Sequence, residues 1–305
     1  MSLCFSFVPL LGRLEGWPSW LAYGAAVPFA FGSGLTIFCW LTLRFLPNDR
    51  VGVVEKLWSG KGSVPEGHIL ALHGEAGFQA DLLRGGIHWG LWRWQYRIHK
   101  SPLVTIPQGK IGYVYARDGQ PLMAGQTLGS VVSCNHFQDA HAFLEGDDKT
   151  IRRGLRGRQL AIVREGVYAI NPALFVVITE NAVFALMNAL SHQEREAILT
   201  WQKELADIDG YNPIVVGRPI VAVDPLHPER KEHVDSIGIV TVHDGPSLAP
   251  GEIIAPVVGA DPGLPHYHNN FQDPQAFLDG GGRRGRQYVP ITDGTYFINR
   301  WFATI

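Results

Sequence analysis

Residues 111–178 and 237–305 read as two copies of one unit, and this duplication restricts the fold more than any other feature of the chain. The first copy opens Ile111-Gly112-Tyr113-Val114 and reaches Asp118-Gly119; the second opens Ile237-Gly238-Ile239-Val240 and reaches Asp244-Gly245. Asn135-His136-Phe137-Gln138-Asp139, then Ala142-Phe143-Leu144, is matched by Asn269-Asn270-Phe271-Gln272-Asp273, then Ala276-Phe277-Leu278. Both copies continue with Arg-Gly-Arg-Gln, at Arg156–Gln159 and Arg284–Gln287, and end in Tyr-x-Ile-Asn, at Tyr168–Asn171 and Tyr296–Asn299. The offset between copies is 126 at the opening, 134 at the Phe-Gln-Asp and 128 at the Arg-Gly-Arg-Gln, so length changes fall between motifs, as loop insertions do.

A third, more diverged copy occupies about 51–100. It begins Val51-Gly52-Val53-Val54 and has Pro65-Glu66-Gly67 before His68-Ile69-Leu70, much as Pro250-Gly251-Glu252 precedes Ile253-Ile254. Its tail spaces Gln79, Gly86 and His88 as the other copies space Gln159, Gly166, Tyr168 and Gln287, Gly294, Tyr296. The Phe-Gln-Asp insert is absent from it.

Each unit mixes β-branched and aromatic runs with turn residues, which predicts short strands. Ile111–Arg117 stops at Asp-Gly, a turn that supplies positive φ, and a second strand is expected near Val131–Cys134. Asp139 and Asp273 stand as N-caps of a short helix burying Phe143/Leu144 and Phe277/Leu278. Gln159–Val163 and Val167–Ile170 flank Glu165-Gly166 as a hairpin would, and Gln287–Ile291 and Thr295–Ile298 flank Asp293-Gly294 likewise. The Arg-Gly-Arg-Gln reads as structural rather than as an anion site, with glycine permitting backbone approach and the arginines satisfying carboxylates or carbonyls. A constellation kept intact twice in one chain is more naturally a folding device than a catalytic one.

Between the clear copies, Ser191 and Glu194 form a capping-box pattern. Ala197, Ile198, Trp201, Leu205 and Ile208 share one helical face, expected to pack on the same domain. Gly217–Ser236 reads as a connector containing one short strand, Ile220–Val223, and the charged run Glu229–Glu232.

The N-terminus has a different character. No charged residue falls between Glu15 and Arg44, a stretch of 28 residues, with Trp17 and Trp20 at its start and Trp40 near its end. A bilayer core needs roughly 20 helical residues, so one tilted span over about 17–43 is expected. Arg44, Arg50 and Lys56 after it, against Arg13 before it, place the remainder in the cytoplasm by the positive-inside rule. Leu3–Leu11 is too short to cross and is expected in the interface. The net charge of −2 leaves no electrostatic footprint for nucleic acid. Three cysteines, Cys4, Cys39 and Cys134, make no disulfide framework, and Cys134 reads as a small core residue.

Val-Gly-Val-Val-Glu at 51–55, Pro-Glu-Gly at 65–67 and Gly-Gly-Ile-His-Trp at 85–89 resemble the start of an SPFH/band 7 domain. With the Asn-x-Phe-Gln-Asp, Arg-Gly-Arg-Gln and Tyr-Phe-Ile-Asn motifs, 51–305 resembles bacterial flotillin-like members of that stomatin/prohibitin superfamily. The resemblance implies membrane-tethered proteins that self-associate and organise membrane domains or attached complexes, with a membrane protease or another membrane protein as partner. It supplies no catalytic, cofactor-binding or metal-ligating residue. Members continue into a further unit and a long Ala/Glu-rich helix, so ending at Ile305 without a heptad run marks the chain as an N-terminal part.

The expected fold class is therefore α+β: tandem strand-rich SPFH/band 7-like units with short helices, preceded by one transmembrane helix. The expected division is 1–50 membrane segment, 51–110 diverged unit, 111–190 unit, 191–236 helix and connector, and 237–305 unit. The expected function is a membrane-anchored, non-enzymatic scaffold, partnered by the lipid bilayer and by further copies of itself. The alternatives are a one-to-one adaptor of a transport or secretion complex and a His-dependent metalloenzyme. For the latter, His266-x-His268 lies near Asp261 and Asp273, and His136 near His141, but both sets read better as loop histidines than as zinc ligands.

Overall fold

The computed structural model describes residues 19–146, 152–224 and 227–305; the side chains of 19–23, 25–26 and 220–232 lie outside that description. The expectations placed on Leu3–Leu11, Cys4 and Trp17 fall on residues that are not described.

Helix α1, Ser19–Thr42, carries Pro28 inside it. Among the described residues no helix is long and apolar enough to cross a membrane. The part of this helix whose side chains are continuously described is Val27–Thr42. Gly32, Ser33, Gly34 and Thr36 dilute this stretch, and the two hydroxyls turn back onto the carbonyls of Ala30 (3.0 Å) and Gly32 (2.8 Å). The expected transmembrane helix and the membrane location drawn from it are withdrawn. The C-terminal end of α1 docks on the following domain: Phe38 meets Trp92 edge-on at 5.5 Å, and Arg93 lies 4.6 Å over Trp40.

The strand-rich part of the fold class stands, and one set of strand pairings occurs three times. The central strands are Arg50–Lys56, Gly112–Ala116 and Thr241–Val242. Each is flanked antiparallel by a strand holding the glycine of the Gly-x-Gln motif: Gly77–Leu83, Gly157–Val163 and Gly285–Arg286. On its other edge lies the strand that closes the unit: Tyr96–Pro102, Phe175–Ile178 and Ala303–Thr304. We call these units modules 1, 2 and 3. The β-branched and aromatic content that favours these strands is also what they bury, since Val51, Val53, Tyr113, Val114 and Val242 are all buried.

Two corrections concern the strands. The Glu165-Gly166 and Asp293-Gly294 turns are not hairpins, because the strands on either side join different sheets. Gly166–Tyr168 pairs with Val104–Ile106, and Gly294–Tyr296 with Ile214–Val216, as Gly86–His88 pairs with Arg44–Leu46. Each turn is a corner, stabilised where Tyr168 and Tyr296 donate their hydroxyls back to the carbonyls of Glu165 (3.2 Å) and Thr292 (3.0 Å). Val131–Cys134 is not a strand: only a parallel bridge, Gly129 to Gln159, precedes it, and Val132 and Cys134 enter the core from irregular backbone.

The short leading strands carry each module's pairing back to Arg44, Val104 and Ile214. In module 3, residues 217–236 thus intervene between the leading and central strands, and Ile220–Asp224 and His227–His233 pair there as a two-stranded ribbon. Helix α2 (Ala140–Glu145) and helix α4 (Pro274–Asp279) are capped by Asp139 and Asp273, whose carboxylates accept from Ala142 N–H (2.9 Å) and Ala276 N–H (3.0 Å). Helix α3 (His192–Asp207) has the full capping box of Ser191 and Glu194 and buries Ile198 and Leu205 against module 2, while Ile208 is exposed.

Candidate functional site

The repeated motifs divide into residues that build a module and residues that join it to its neighbour. Within the Asn-x-Phe-Gln-Asp motif three successive residues take left-handed backbone: Asn135, His136 and Phe137 have φ of 49, 52 and 63°, and Asn269, Asn270 and Phe271 of 44, 53 and 64°. Each such residue costs about 1–2 kcal/mol, least for asparagine. What offsets this is the placement of the next side chains. Phe137 packs on Phe143 and Phe175, and Phe271 on Phe277. Gln138 and Gln272 accept from Ala169 N–H (3.1 Å) and Phe297 N–H (3.0 Å), tying the turn to the module's tail. Gly154 and Gly282 follow, each so close over the phenylalanine that a Cβ would lie 2.3 Å from the ring of Phe143 or Phe277.

The Arg-Gly-Arg-Gln motif reduces to Gly-x-Gln. Gly77, Gly157 and Gly285 have φ of 138, 126 and 116°, which lets the glutamine two residues on fold back along its own chain. Gln79, Gln159 and Gln287 each donate Nε2 to the carbonyls four and two residues earlier, at 2.8–3.0 Å. The first arginine was expected to satisfy carboxylates or carbonyls; Arg284 instead meets the Ser247 hydroxyl at 2.5 Å. Arg158 lies over two indoles, 5.7 Å from Trp201 and 5.5 Å from Trp301, where burial lowers its pKa from the usual guanidinium value.

The joining residues are asparagine and aspartate. After the Gly-x-Gln, the strand slips register against the central strand: Tyr113–Tyr115 faces Arg158–Ile162, and Val53–Glu55 faces Phe78–Leu82. The slip turns two carbonyls away from their own sheet. Asn171 of module 2 donates Nδ2 to both of them in module 1, at Gln79 (3.2 Å) and Ala80 (3.0 Å). Asn299 of module 3 does the same to module 2, at Gln159 (3.0 Å) and Leu160 (2.9 Å). Both asparagines are buried, and their Oδ1 atoms accept from Ala173 N–H (3.0 Å) and Trp301 N–H (2.8 Å).

The Asp-Gly turn is the second joint. Buried Asp118 of module 2 accepts from Ile69 N–H (2.6 Å) and Leu70 N–H (3.2 Å) of module 1. Buried Asp244 of module 3 accepts from Thr127 of module 2, through N–H (2.9 Å) and Oγ1 (3.0 Å). Between these polar joints each module completes its neighbour's core. Leu70 and Ala80 of module 1 pack into the cluster of module 2, and Leu128 and Leu160 of module 2 into that of module 3.

Clefts open at both junctions, of about 820 Å³ beside His68, Leu72, Leu144 and Arg156 and of about 680 Å³ beside Met123, Ser130, Leu278 and Arg284. In the second, Arg152 holds Asp279 at 2.9 Å. Burial works against the Asp279 charge, but the hydrogen bonds from Arg152 and Gln275 outweigh it and keep the carboxyl below its usual range.

Neither histidine set forms a metal site. His268 is buried, accepts at Nδ1 from Phe271 N–H (2.8 Å) and so directs Nε2–H to the Val258 carbonyl (2.8 Å); both nitrogens are engaged. Desolvation lowers its pKa. His266 is exposed and Asp273 is the cap of α4, and Asp261 is exposed. His141 faces Asp81 (3.5 Å) and Glu145 (4.0 Å), while His136 lies against the Tyr168 ring. Among the described residues no group of three or more His, Cys, Asp and Glu side chains could hold a metal ion.

Cys134 occupies the place of His268 in module 2, and burial pushes its thiol up to about 11, which fits a core residue rather than a nucleophile.

The chain matches no protein-family model, no curated protein and no solved structure. SPFH/band 7 and flotillin-like membership therefore rests on short motifs alone, without a match to support it. What distinguishes the chain is the joint itself, in which asparagine and aspartate side chains leave one module to satisfy the backbone of the module before it. Sequence reading assigned the aspartates to turns and gave the asparagines no joining role; the signal that could have separated them is that module 1, which docks on no other module among the described residues, has Trp58 and Leu91 at the two places.

Proposed function

We propose that the chain is a non-enzymatic scaffold: a series of β-modules joined head to tail that holds protein partners in a fixed spatial order and self-associates into larger assemblies. The observation that carries this reading is the use of the repeated residues. Phe137, Gln138, Asp139, Gln159 and Asn171, with their counterparts in module 3, are each engaged in folding a module or joining two. A head-to-tail joint uses two different surfaces, so within the chain it sets one module after another in a fixed order. Sedimentation velocity of the full chain tests the reading. Species beyond the dimer, growing with concentration, are expected; a monomer throughout the accessible range contradicts self-association.

A one-to-one adaptor is the second reading, favoured by one observation. Asn171, Asn299, Asp118 and Asp244 are all engaged within the chain, so one chain presents no free copy of these joining groups to another. Under this reading the chain is monomeric alone and forms a single heteromeric band on crosslinking.

A further inference from the structure

The clefts at the two junctions are lined from equivalent positions. In each, the preceding module supplies a turn glycine, Gly67 or Gly125. The following module supplies a half-buried leucine of the short helix, Leu144 or Leu278, and the first arginine of Arg-Gly-Arg-Gln, Arg156 or Arg284. The two glycines have φ of 89 and 91°, so the lining turn takes the same shape at both junctions. Gln120 and Arg153 line both clefts, which therefore meet across module 2 as one groove.

Charge in this groove is unbalanced. Arg152 is matched by Asp279 at 2.9 Å, which also accepts from Gln275 at 2.9 Å. Asp244 is held by Thr127, and Glu75 accepts from His73 N–H at 3.0 Å. Glu145 lies 3.8 Å from His73 and 4.0 Å from His141. Arg153, Arg156 and Arg284 are exposed and have no carboxylate partner among the described residues. Arg153 and Arg156 make no side-chain hydrogen bond there either. The glycine and glutamine of the motif carry the fold, whereas its first guanidinium is left unclaimed by any carboxylate at both junctions.

The walls between these cations are aliphatic, with Leu72 and Met123 beside the two helix leucines. Among the described residues no Phe, Tyr or Trp lines either cleft, so the bases of a nucleic acid would find nothing to stack on. A net charge of −2 also gives a polyanion no long-range attraction. An extended polypeptide alternating carboxylates with apolar side chains matches both the cations and the walls. Modules set in series present binding surfaces of this extended kind.

We propose that this groove is the docking site for an extended acidic segment of a partner protein. Its carboxylates meet Arg156, Arg153 and Arg284, and its apolar side chains lie against Leu144 and Leu278. Planar guanidiniums take carboxylates through paired hydrogen bonds, which fixes the register of the segment along the modules. The inference deepens the scaffold reading by naming the chemistry of a partner, and it rests on that reading for its purpose.

Fluorescence anisotropy of the full chain tests it, with a labelled peptide of about twelve residues that alternates glutamate and leucine. Binding is expected, and it should weaken at high salt. Replacing the peptide's glutamates by glutamines should weaken it by about tenfold or more, and Arg156→Glu and Arg284→Glu in the chain should each do the same. Both arginines are exposed, and urea midpoints equal to the parent's confirm that the variants fold. Amide exchange at Gly119, Gln120, Gly245 and Ser247, which line the clefts, should slow in the bound chain.

No binding overturns the proposal, as does equal binding of the glutamine peptide or indifference to both arginine variants. Protection confined to residues outside the clefts overturns it too. A single-stranded oligothymidylate that occupies the clefts more tightly than the peptide reassigns them to nucleic acid. Binding that arises only when Asp147 and Asp148 both become asparagine assigns the groove to the chain's own acidic pair instead of a partner. A monomeric chain that binds the peptide supports this inference while contradicting self-association, and a self-associating chain that does not bind it sinks this inference alone.

Discussion

Replacing Asn299 by alanine removes three hydrogen bonds from one buried side chain: two to the carbonyls of Gln159 and Leu160 and one from Trp301 N–H. Each is worth about 1 kcal/mol net, and the groups left behind lie in a dry junction, so the expected loss is about 3 kcal/mol. Against a total stability on the order of 5–15 kcal/mol, that detaches module 3 well before the rest unfolds. Urea unfolding followed by tryptophan fluorescence reads this directly, because Trp301 sits beside Trp201 (6.1 Å) at the junction. An early transition with a red shift is expected for Asn299→Ala, and a matching one between modules 1 and 2 for Asn171→Ala.

Asn299→Asp sharpens the test. It keeps the acceptor for Trp301 N–H but sets a second anionic oxygen against two carbonyls. At neutral pH it should lose at least as much as alanine. That carboxyl would have its folded pKa raised above the unfolded value of about 3.9, so its deficit should shrink as pH falls toward and below 4. A shift of less than about 0.5 kcal/mol for Asn299→Ala, or an Asn299→Asp chain as stable as the parent at pH 7, refutes the reasoning.

Asp118→Ala leaves three backbone N–H groups without their acceptor, at Ile69, Leu70 and Gly119, and should cost about 2–4 kcal/mol in thermal or urea unfolding. Gly154→Ala and Gly282→Ala force the Phe143 or Phe277 ring out of its place and should each cost about 1–3 kcal/mol, with loss of near-ultraviolet circular dichroism from the module affected. His268 has a folded pKa below its unfolded value of about 6.5, so the stability it contributes is present above that pH and is lost as pH falls through the lower folded value. Module 3 should therefore weaken on mild acidification. His268→Cys, the residue of module 2, should flatten that part of the pH profile measured by urea midpoints.

The modular repeat was legible because its motifs recur in fixed order, and the roles of Asp139 and Asp273 followed from local spacing alone. The junctions were not. Asn171 and Asn299 act on carbonyls that become free only through a register slip in another module, which no local pattern encodes. Asp118 and Asp244 read as ordinary Asp-Gly turns, and the glycines do take positive φ (134 and 101°), but the carboxylates leave the turn for the preceding module. The three-residue leading strands, such as Val104–Ile106, are too short to show alternation. Without them the corners at Gly166 and Gly294 looked like hairpins. At the N-terminus, the absence of charge was read as a span, whereas among the described residues no helix is long and apolar enough to cross a membrane.

Native-state hydrogen exchange on the dilute chain tests serial docking most directly. The N–H groups of Ile69, Leu70 and Thr127, covered by a following module, should be protected, whereas those of Ile253 and Ile254 should exchange near the rate of an open chain. Equal exchange at all three places, whether fast or slow, contradicts it.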